Sequence, residues 1–173
     1  MKELREFIPV QIAILTISDT RTEATDKSGK ILVERIQNSG HQVIAKKILP
    51  DDVNQIQEQL KEWIQNPEVD VVIATGGTGL TGRDVTPEAF HAVYEKEIPG
   101  FGELFRMLSY ETIGTSTIES RATAGLANGT YLFALPGSTG AVQEAWDKIL
   151  RYQLDIRHRP CNLVELMPRL KER

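Results

Sequence analysis

Within residues 69–89, VDVVIATGGTGLTGRDVTPEA, the glycines Gly76, Gly77, Gly79 and Gly82 surround Thr78 and Thr81 and lead into Arg83 and Asp84. Glycines at that density let a backbone turn tightly and present its N–H groups, which is how a loop holds an anion. Three more short segments carry acids, hydroxyls or glycines directly after an apolar run: Ser18-Asp19-Thr20, Pro50-Asp51-Asp52 and Pro136-Gly137-Ser138. The 76–79 and 137–140 loops each precede a helical pattern, so each can offer N–H groups and a helix N-terminus to a phosphate. Two such sites imply a ligand with more than one anionic group. Asp51 and Asp84 add hard oxygen, and Mg²⁺ takes one or two carboxylates while phosphates and water complete its shell. These residues describe a Mg-nucleotide or Mg-phosphate site.

Generic phosphate motifs do not account for the loop. Gly77, Gly79 and Gly82 satisfy GxGxxG, but a dinucleotide fold opens its helix within the glycines and places an acid about 20 residues on. Here the helix signal waits for Thr86-Pro87-Glu88, a hydroxyl N-cap, a proline at the first helical position and an acid in the first turn. The P-loop pattern fails because Arg83-Asp84 follows Gly82 where Lys-Ser/Thr is required. Plainer roles stand beside these. Asp51 or Asp52 can cap the following helix, Asp19 can be a turn residue, and Ser138 can be an N-cap. Arg157-His158-Arg159 reads as a solvated or subunit-contact cluster, and Cys161, beside Pro160, as a small packed residue.

The elements that must position these loops follow from periodicity. Residues 10–17, VQIAILTI, are too uniformly apolar for a half-exposed strand and predict one buried on both faces. Ile31, Leu32, Arg35 and Ile36 mark a helix that Gly40 ends. Residues 42–49 are a second strand, Val53, Ile56, Leu60, Trp63 and Ile64 an amphipathic helix, and 69–75 a third strand. Beyond the glycine loop, Phe90, Val93 and Tyr94 suggest a short helix, and Phe101, Leu104, Phe105 and Leu108 another. Residues 112–128 read as a short helix and loop, 130–135 as a strand, and Val142, Ala145, Trp146, Ile149 and Leu150 as a helix. Alternating strands and helices predict an α/β domain with a mainly parallel sheet. Its strands release all four loops at one edge, where open α/β sheets bind ligands.

Composition bounds the rest. A chain of 173 residues suits one substantial core, so residues 1–173 are expected to form one domain. Net charge of −4 argues against a general nucleic-acid binder. One cysteine allows no internal disulfide, and His41, His91 and His158 form no zinc-like cluster, which fits a reducing cytoplasm. The N-terminal MKELREF has acids where a signal peptide needs an apolar core. No apolar run approaches the roughly 18 residues of a membrane span.

Taken in order, ILTISDT, ILPDD, TGGTGLTGRDVTPEA, SRATAGL and LPGSTGAVQEAWD resemble the MoaB/Mog family of molybdenum cofactor biosynthesis proteins over nearly the whole chain. The tail QLDIRHRPCNLVELMP is similar to its MoaB branch. The resemblance implies a three-layer αβα sandwich, a homotrimer or homohexamer, and molybdopterin binding, with other cofactor-biosynthesis proteins as candidate partners. Residues 155–173, like Phe101 and Phe105, are candidate subunit contacts, with core packing the plainer role for the two phenylalanines. For catalytic members the resemblance implies a nucleotidyltransferase reaction in which molybdopterin and Mg-ATP give adenylylated molybdopterin and pyrophosphate. It places the functional aspartates at Asp51 and Asp84 and the glycine-loop contacts at Gly76, Gly77, Thr78 and Gly79, with Thr86 and Glu88 closing that motif. The SDT, SR and PGS motifs map to Ser18, Asp19, Ser120, Arg121, Gly137 and Ser138. One departure is Ser138, where many catalytic members carry Asn; either side chain can contact a phosphate or cap the helix.

The implied chemistry needs no general base. The second pKa of a phosphate monoester is about 6, so the terminal phosphate of molybdopterin is already an anion at neutral pH. The difficulty is to bring it against the α-phosphorus of a tetra-anionic nucleotide, which makes catalysis a matter of positioning and charge neutralisation. Mg²⁺ near Asp51 and Asp84, the loop N–H groups and Arg83 or Arg121 are the expected agents. A non-catalytic molybdopterin carrier would use the same pocket. A nucleotide phosphohydrolase would need a water-activating group, and no histidine lies in the four loops.

Overall fold

The computed structural model describes residues 4–173, so the first three residues of the MKELREF segment lie outside the described residues. Its frame is one six-stranded sheet in the order β2-β1-β3-β6-β5-β4. The strands β1 (Gln11–Ile17), β2 (Gln42–Leu49), β3 (Val71–Thr75) and β6 (Thr130–Leu135) are mutually parallel, while β5 (Thr123–Ala127) runs antiparallel to β6, and the short edge strand β4 (Lys96–Glu97) antiparallel to β5. No helix among the described residues is long and apolar enough to cross a membrane.

Side chains alternate across the central strands and feed two cores. Ile12 and Ile14 of β1, Val71 and Ile73 of β3, and Tyr131, Phe133 and Leu135 of β6 face α1 (Lys27–Asn38), α4 (Pro99–Ile113) and α5 (Thr139–Ala145). Ala13, Leu15 and Ile17, Val72 and Ala74, and Leu132 and Ala134 face α2 (Val53–Gln65) and α3 (Thr86–His91). The result is helices, sheet, helices, as expected of strands apolar on both faces. Each fully buried Ile, Leu or Phe adds about 1.5–3 kcal/mol of transfer free energy, so the two cores hold the sheet edge rigid under its loops. Phe101 and Phe105 belong to the first core and are 6% and 1% exposed. Beyond α5 the helix passes through a π turn, Trp146–Leu150, into α6 (Arg151–Gln153). The tail folds back onto the first core through α7 (Leu163–Leu166), with Val164 buried and the Tyr131 hydroxyl donating to Leu163 O at 2.8 Å.

Three expectations are corrected. Residues 112–128 are not helix and loop alone: α4 runs to Ile113, a 3₁₀ turn covers Gly114–Glu119, and β5 follows. This strand exists because a two-residue turn folds it onto β6. Asn128 and Gly129 both have positive φ, 47° and 78°, the backbone of the hairpin turn that Asn-Gly favours. The third helix stops at His91, leaving Val93 and Tyr94 in the following turn. Cys161 is exposed, not packed.

The middle of β5 admits no side chain, because a Cβ on Gly125 would lie 2.3 Å from the Tyr94 ring. Gly125→Val is expected to destabilise the protein by about 1–3 kcal/mol through overpacking, read as a lower midpoint in urea unfolding.

Candidate functional site

Three strand exits meet at Gly76. Its N–H donates to Leu135 O at 3.0 Å, its carbonyl accepts the Thr86 hydroxyl at 2.8 Å, and a Cβ there would lie 2.2 Å from Ile17 O. With φ at +105° this is a position for glycine alone. Gly77 continues the turn: its carbonyl accepts the Thr86 N–H at 3.0 Å, and a Cβ on it would stand 3.0 Å from Asp51 Oδ1. From the other side, the Thr75 hydroxyl donates to Pro136 O at 2.9 Å and the Ser28 hydroxyl to Gly137 O at 2.7 Å. Thr86 is therefore not the N-cap of α3. Val85 holds that position, and the Thr86 hydroxyl is spent on the glycine loop. Ser138 does cap α5, accepting the Ala141 N–H at 3.1 Å, and Asp52 caps α2 through the Gln55 N–H at 2.9 Å. Asp51 is free of that duty.

The acids at this edge have different partners. Asp19 forms a two-pronged ion pair with Arg83, at 2.9 and 2.8 Å, and accepts the Asp51 N–H at 3.0 Å. Arg83, then the Asp51 N–H, hold its carboxyl below the ordinary range. Asp84 Oδ2 accepts the Thr81 N–H at 2.9 Å and hydroxyl at 2.8 Å, so this side chain also shapes its own loop. Asp26, 1% exposed, caps α1 through the Gly29 N–H at 2.9 Å, accepts the Thr16 hydroxyl at 2.7 Å and pairs with Lys46 at 3.0 Å. Burial raises its pKa, but the Thr16, Gly29 and Lys46 contacts outweigh that and leave it lowered. Asp51 is the exception. Among the described residues its carboxylate enters no ion pair. Burial, then the Asp19 carboxylate, push its pKa up, and the Asp19 backbone and Arg83 offset this only in part.

Two cavities adjoin here. The larger, about 550 Å³, is lined by Ser18, Asp51, Gly76 and the N-terminus of α1. The smaller, about 420 Å³, is lined by Thr78, Gly79 and Ser120 and has apolar walls from Phe105 and Ile113. Gly77, Asp84, Gly137 and Ser138 line both. Asp19 and Arg83 pair beside the larger cavity without lining it, while Thr86, Glu88 and Arg121 line neither: Thr86 and Arg121 bond to glycine-loop carbonyls, and Arg121 lines a separate cavity of about 240 Å³ with Ser120. Arg121 donates to Gly79 O and Asp84 O, both at 2.8 Å, and to the Glu88 carboxylate, which lowers the Glu88 pKa. Arg83 and Arg121 thus both have partners within the protein. The cations left facing the larger cavity are Arg21 and Lys27, which enter no ion pair among the described residues. Sequence reasoning missed both. Lys27 stands directly after Asp26, the N-cap of α1, and that Asp-Lys step is the signal that could have found it.

Known proteins share the fold and about half of the sequence. Residues 13–156 match the family described as "Probable molybdopterin binding domain". The chain is 52% identical over 157 residues to Molybdenum cofactor biosynthesis protein B of Escherichia coli K12, covering 91% of this chain and 92% of that protein. It is 45% identical over 142 residues to the protein of the same name from Bacillus subtilis 168, covering 82% and 84%. A crystal structure of a Molybdenum cofactor biosynthesis protein B superposes with a TM-score of 0.87 at 42% identity, covering 98% of this chain and 100% of that one. That of the tungsten cofactor synthesizing protein MoaB from Pyrococcus furiosus superposes with a TM-score of 0.74 at 37% identity, covering 82% and 91%.

The buried Asp26 makes a pH prediction. Its native pKa lies below the ordinary 3.8, so its stabilisation is present above that value and is lost as pH falls through the native pKa. Asp26→Asn is expected to cost about 1–3 kcal/mol at neutral pH. In urea unfolding, the gap between native protein and variant should narrow below about pH 4.

Proposed function

The chain belongs to the molybdopterin-binding-domain family of molybdenum cofactor biosynthesis proteins, and on that premise we propose that it adenylylates molybdopterin, using Mg-ATP and releasing pyrophosphate. The observation that carries this reading is the wall shared by the two cavities, formed by Gly77, Asp84, Gly137 and Ser138. Two ligands seated on either side would meet across it. The larger cavity, with Arg21, Lys27 and two helix N-termini, suits the polyphosphate of ATP. The smaller one, walled by Phe105 and Ile113, suits a flat heterocycle.

In this reading the terminal phosphate of molybdopterin, already an anion, attacks the α-phosphorus of ATP. One P–O bond forms, the α–β bridging P–O bond breaks, and pyrophosphate departs with the electron pair. The backbone N–H groups of the glycine loop and the start of α5 orient the reacting phosphates, and Arg21 and Lys27 offset their repulsion. A divalent cation fits the donor set. Asp51 has no cationic partner, Asp84 lies close enough to raise its pKa further, and both offer hard oxygen. Among the described residues no three His, Cys, Asp or Glu converge on a point, so two carboxylates with phosphate and water fit Mg²⁺ better than a cage built by the protein alone. Bound there, it would supply positive charge to the polyphosphate.

A non-catalytic molybdopterin carrier is the second reading. What favours it is the Asp84 carboxylate, which Thr81 engages with both N–H and hydroxyl, a loop-shaping role that requires no metal.

Pyrophosphate release from purified protein with Mg-ATP and molybdopterin separates the two. Asp51→Asn and Asp84→Asn are each expected to lower kcat by roughly 10²–10³. Molybdopterin binding without release in the native protein would establish the carrier. Lys27→Ala should raise the KM for ATP several-fold and leave that for molybdopterin within about twofold, the scale of one exposed charge contact.

A further inference from the structure

Residues 79–84 have no helix or strand of their own to hold them. Their internal bonds are the Asp84 N–H to Thr81 O at 3.0 Å and the contacts of the Asp84 carboxylate with Thr81. Two arginines tie them to the rest of the protein: Arg83 of the segment itself, through its exposed ion pair with Asp19, and Arg121, which holds the loop by its backbone. The Arg121 Nε donates to Gly79 O and its Nη2 to Asp84 O, both at 2.8 Å, and its backbone N–H donates to Thr78 O at 3.0 Å. The third guanidinium nitrogen, Nη1, is held by the carboxylate of Glu88 in the first turn of α3. A planar fork thus joins two carbonyls across the loop while an acid stops it turning away. An ammonium group is a point donor on a flexible stem and cannot reproduce that geometry.

We propose that Arg121, braced by Glu88, is a positioning residue that fixes the 79–84 segment and, through it, the Asp84 carboxylate in the wall between the two cavities. Its consequence for turnover rests on the adenylylation reading above, and its consequence for the loop does not. If Arg121 instead met a phosphate directly as a charge, lysine would replace it. As a fork, lysine fails as alanine does.

The test is amide hydrogen exchange together with pyrophosphate-release kinetics on the full chain, for Arg121→Lys, Arg121→Ala and Glu88→Gln. Exchange across 79–84 is expected to rise roughly tenfold or more in both Arg121 variants, and less in Glu88→Gln, with β1, β3 and β6 protected as in the native protein. Millimolar guanidinium ion should restore protection to Arg121→Ala, and methylammonium should not. kcat should fall at least about tenfold, equally for Lys and Ala, with smaller changes in the KM for ATP. Native exchange in Arg121→Ala, or native exchange and turnover in Arg121→Lys, would overturn the proposal, as would protection lost throughout the sheet in every variant. If Arg121→Ala does not fold, the other two variants decide. If the native protein shows no turnover, adenylylation falls. Exchange, and the affinity for Mg-pyrophosphate measured by calorimetry, then judge the clamp alone.

Discussion

The close approach of three strand ends at Gly76 is the constraint on which the site depends. The exit of β3 donates to the last residue of β6, lies against the last carbonyl of β1, and accepts the first hydroxyl of α3. A Cβ at that position would lie 2.2 Å from the Ile17 carbonyl oxygen, and a φ of +105° is strained for any other residue. Because β1, β3 and β6 are adjacent and parallel, their loops leave at one edge in any case. Gly76 turns that proximity into contact, so that Asp51 and the 137–140 loop border the same space.

Around this crossing the protein distributes negative charge unevenly. Asp19 is neutralised by Arg83 and Asp26 by Lys46, while Thr81 satisfies Asp84 with neutral donors. Asp51 enters no ion pair among the described residues, and Arg83 offsets its charge only in part. Folding alone gains little from a half-buried carboxylate outside any ion pair, since its desolvation opposes the charged form. Such a group at a cavity wall is what the proposed cation would meet. The free cations Arg21 and Lys27 border the same cavity, so it carries both signs unpaired, as expected where an anion and a cation bind together.

Much of this was legible in the sequence, for physical reasons that also mark where legibility ended. The central strands were plain because burial on both faces leaves no polar alternation to misread; 130–135 matches its observed bounds, as does the partly exposed edge strand 42–49. The four loops were plain because glycine, acid and hydroxyl residues follow directly on apolar runs, where a parallel sheet releases its chain. β5 was hidden because TAGLA has few of the branched and aromatic residues that mark strands. It is a strand through its hairpin with β6 and the close seat of Tyr94 on Gly125, and the Asn128-Gly129 pair was the local signal for it. The partners of Arg83 and Arg121 were hidden for a different reason. Whether an arginine faces a ligand or a carbonyl is decided by tertiary contacts that residue type does not encode.

The antiparallel hairpin also explains how a motif distant in sequence reaches the glycine loop. β6 runs parallel to β3, so its end lies at the loop-bearing edge, and Thr123 at the start of β5 pairs with Ala134 near that end. Reversal of direction between β5 and β6 therefore returns the chain just before β5, Ser120 and Arg121, to the same edge. A fifth parallel strand would have left those residues at the opposite end of the sheet. Arg121 holds the loop carbonyls because the sheet stops being parallel at this strand, and the hairpin that makes the reversal is closed by Asn128 and Gly129 at the far end.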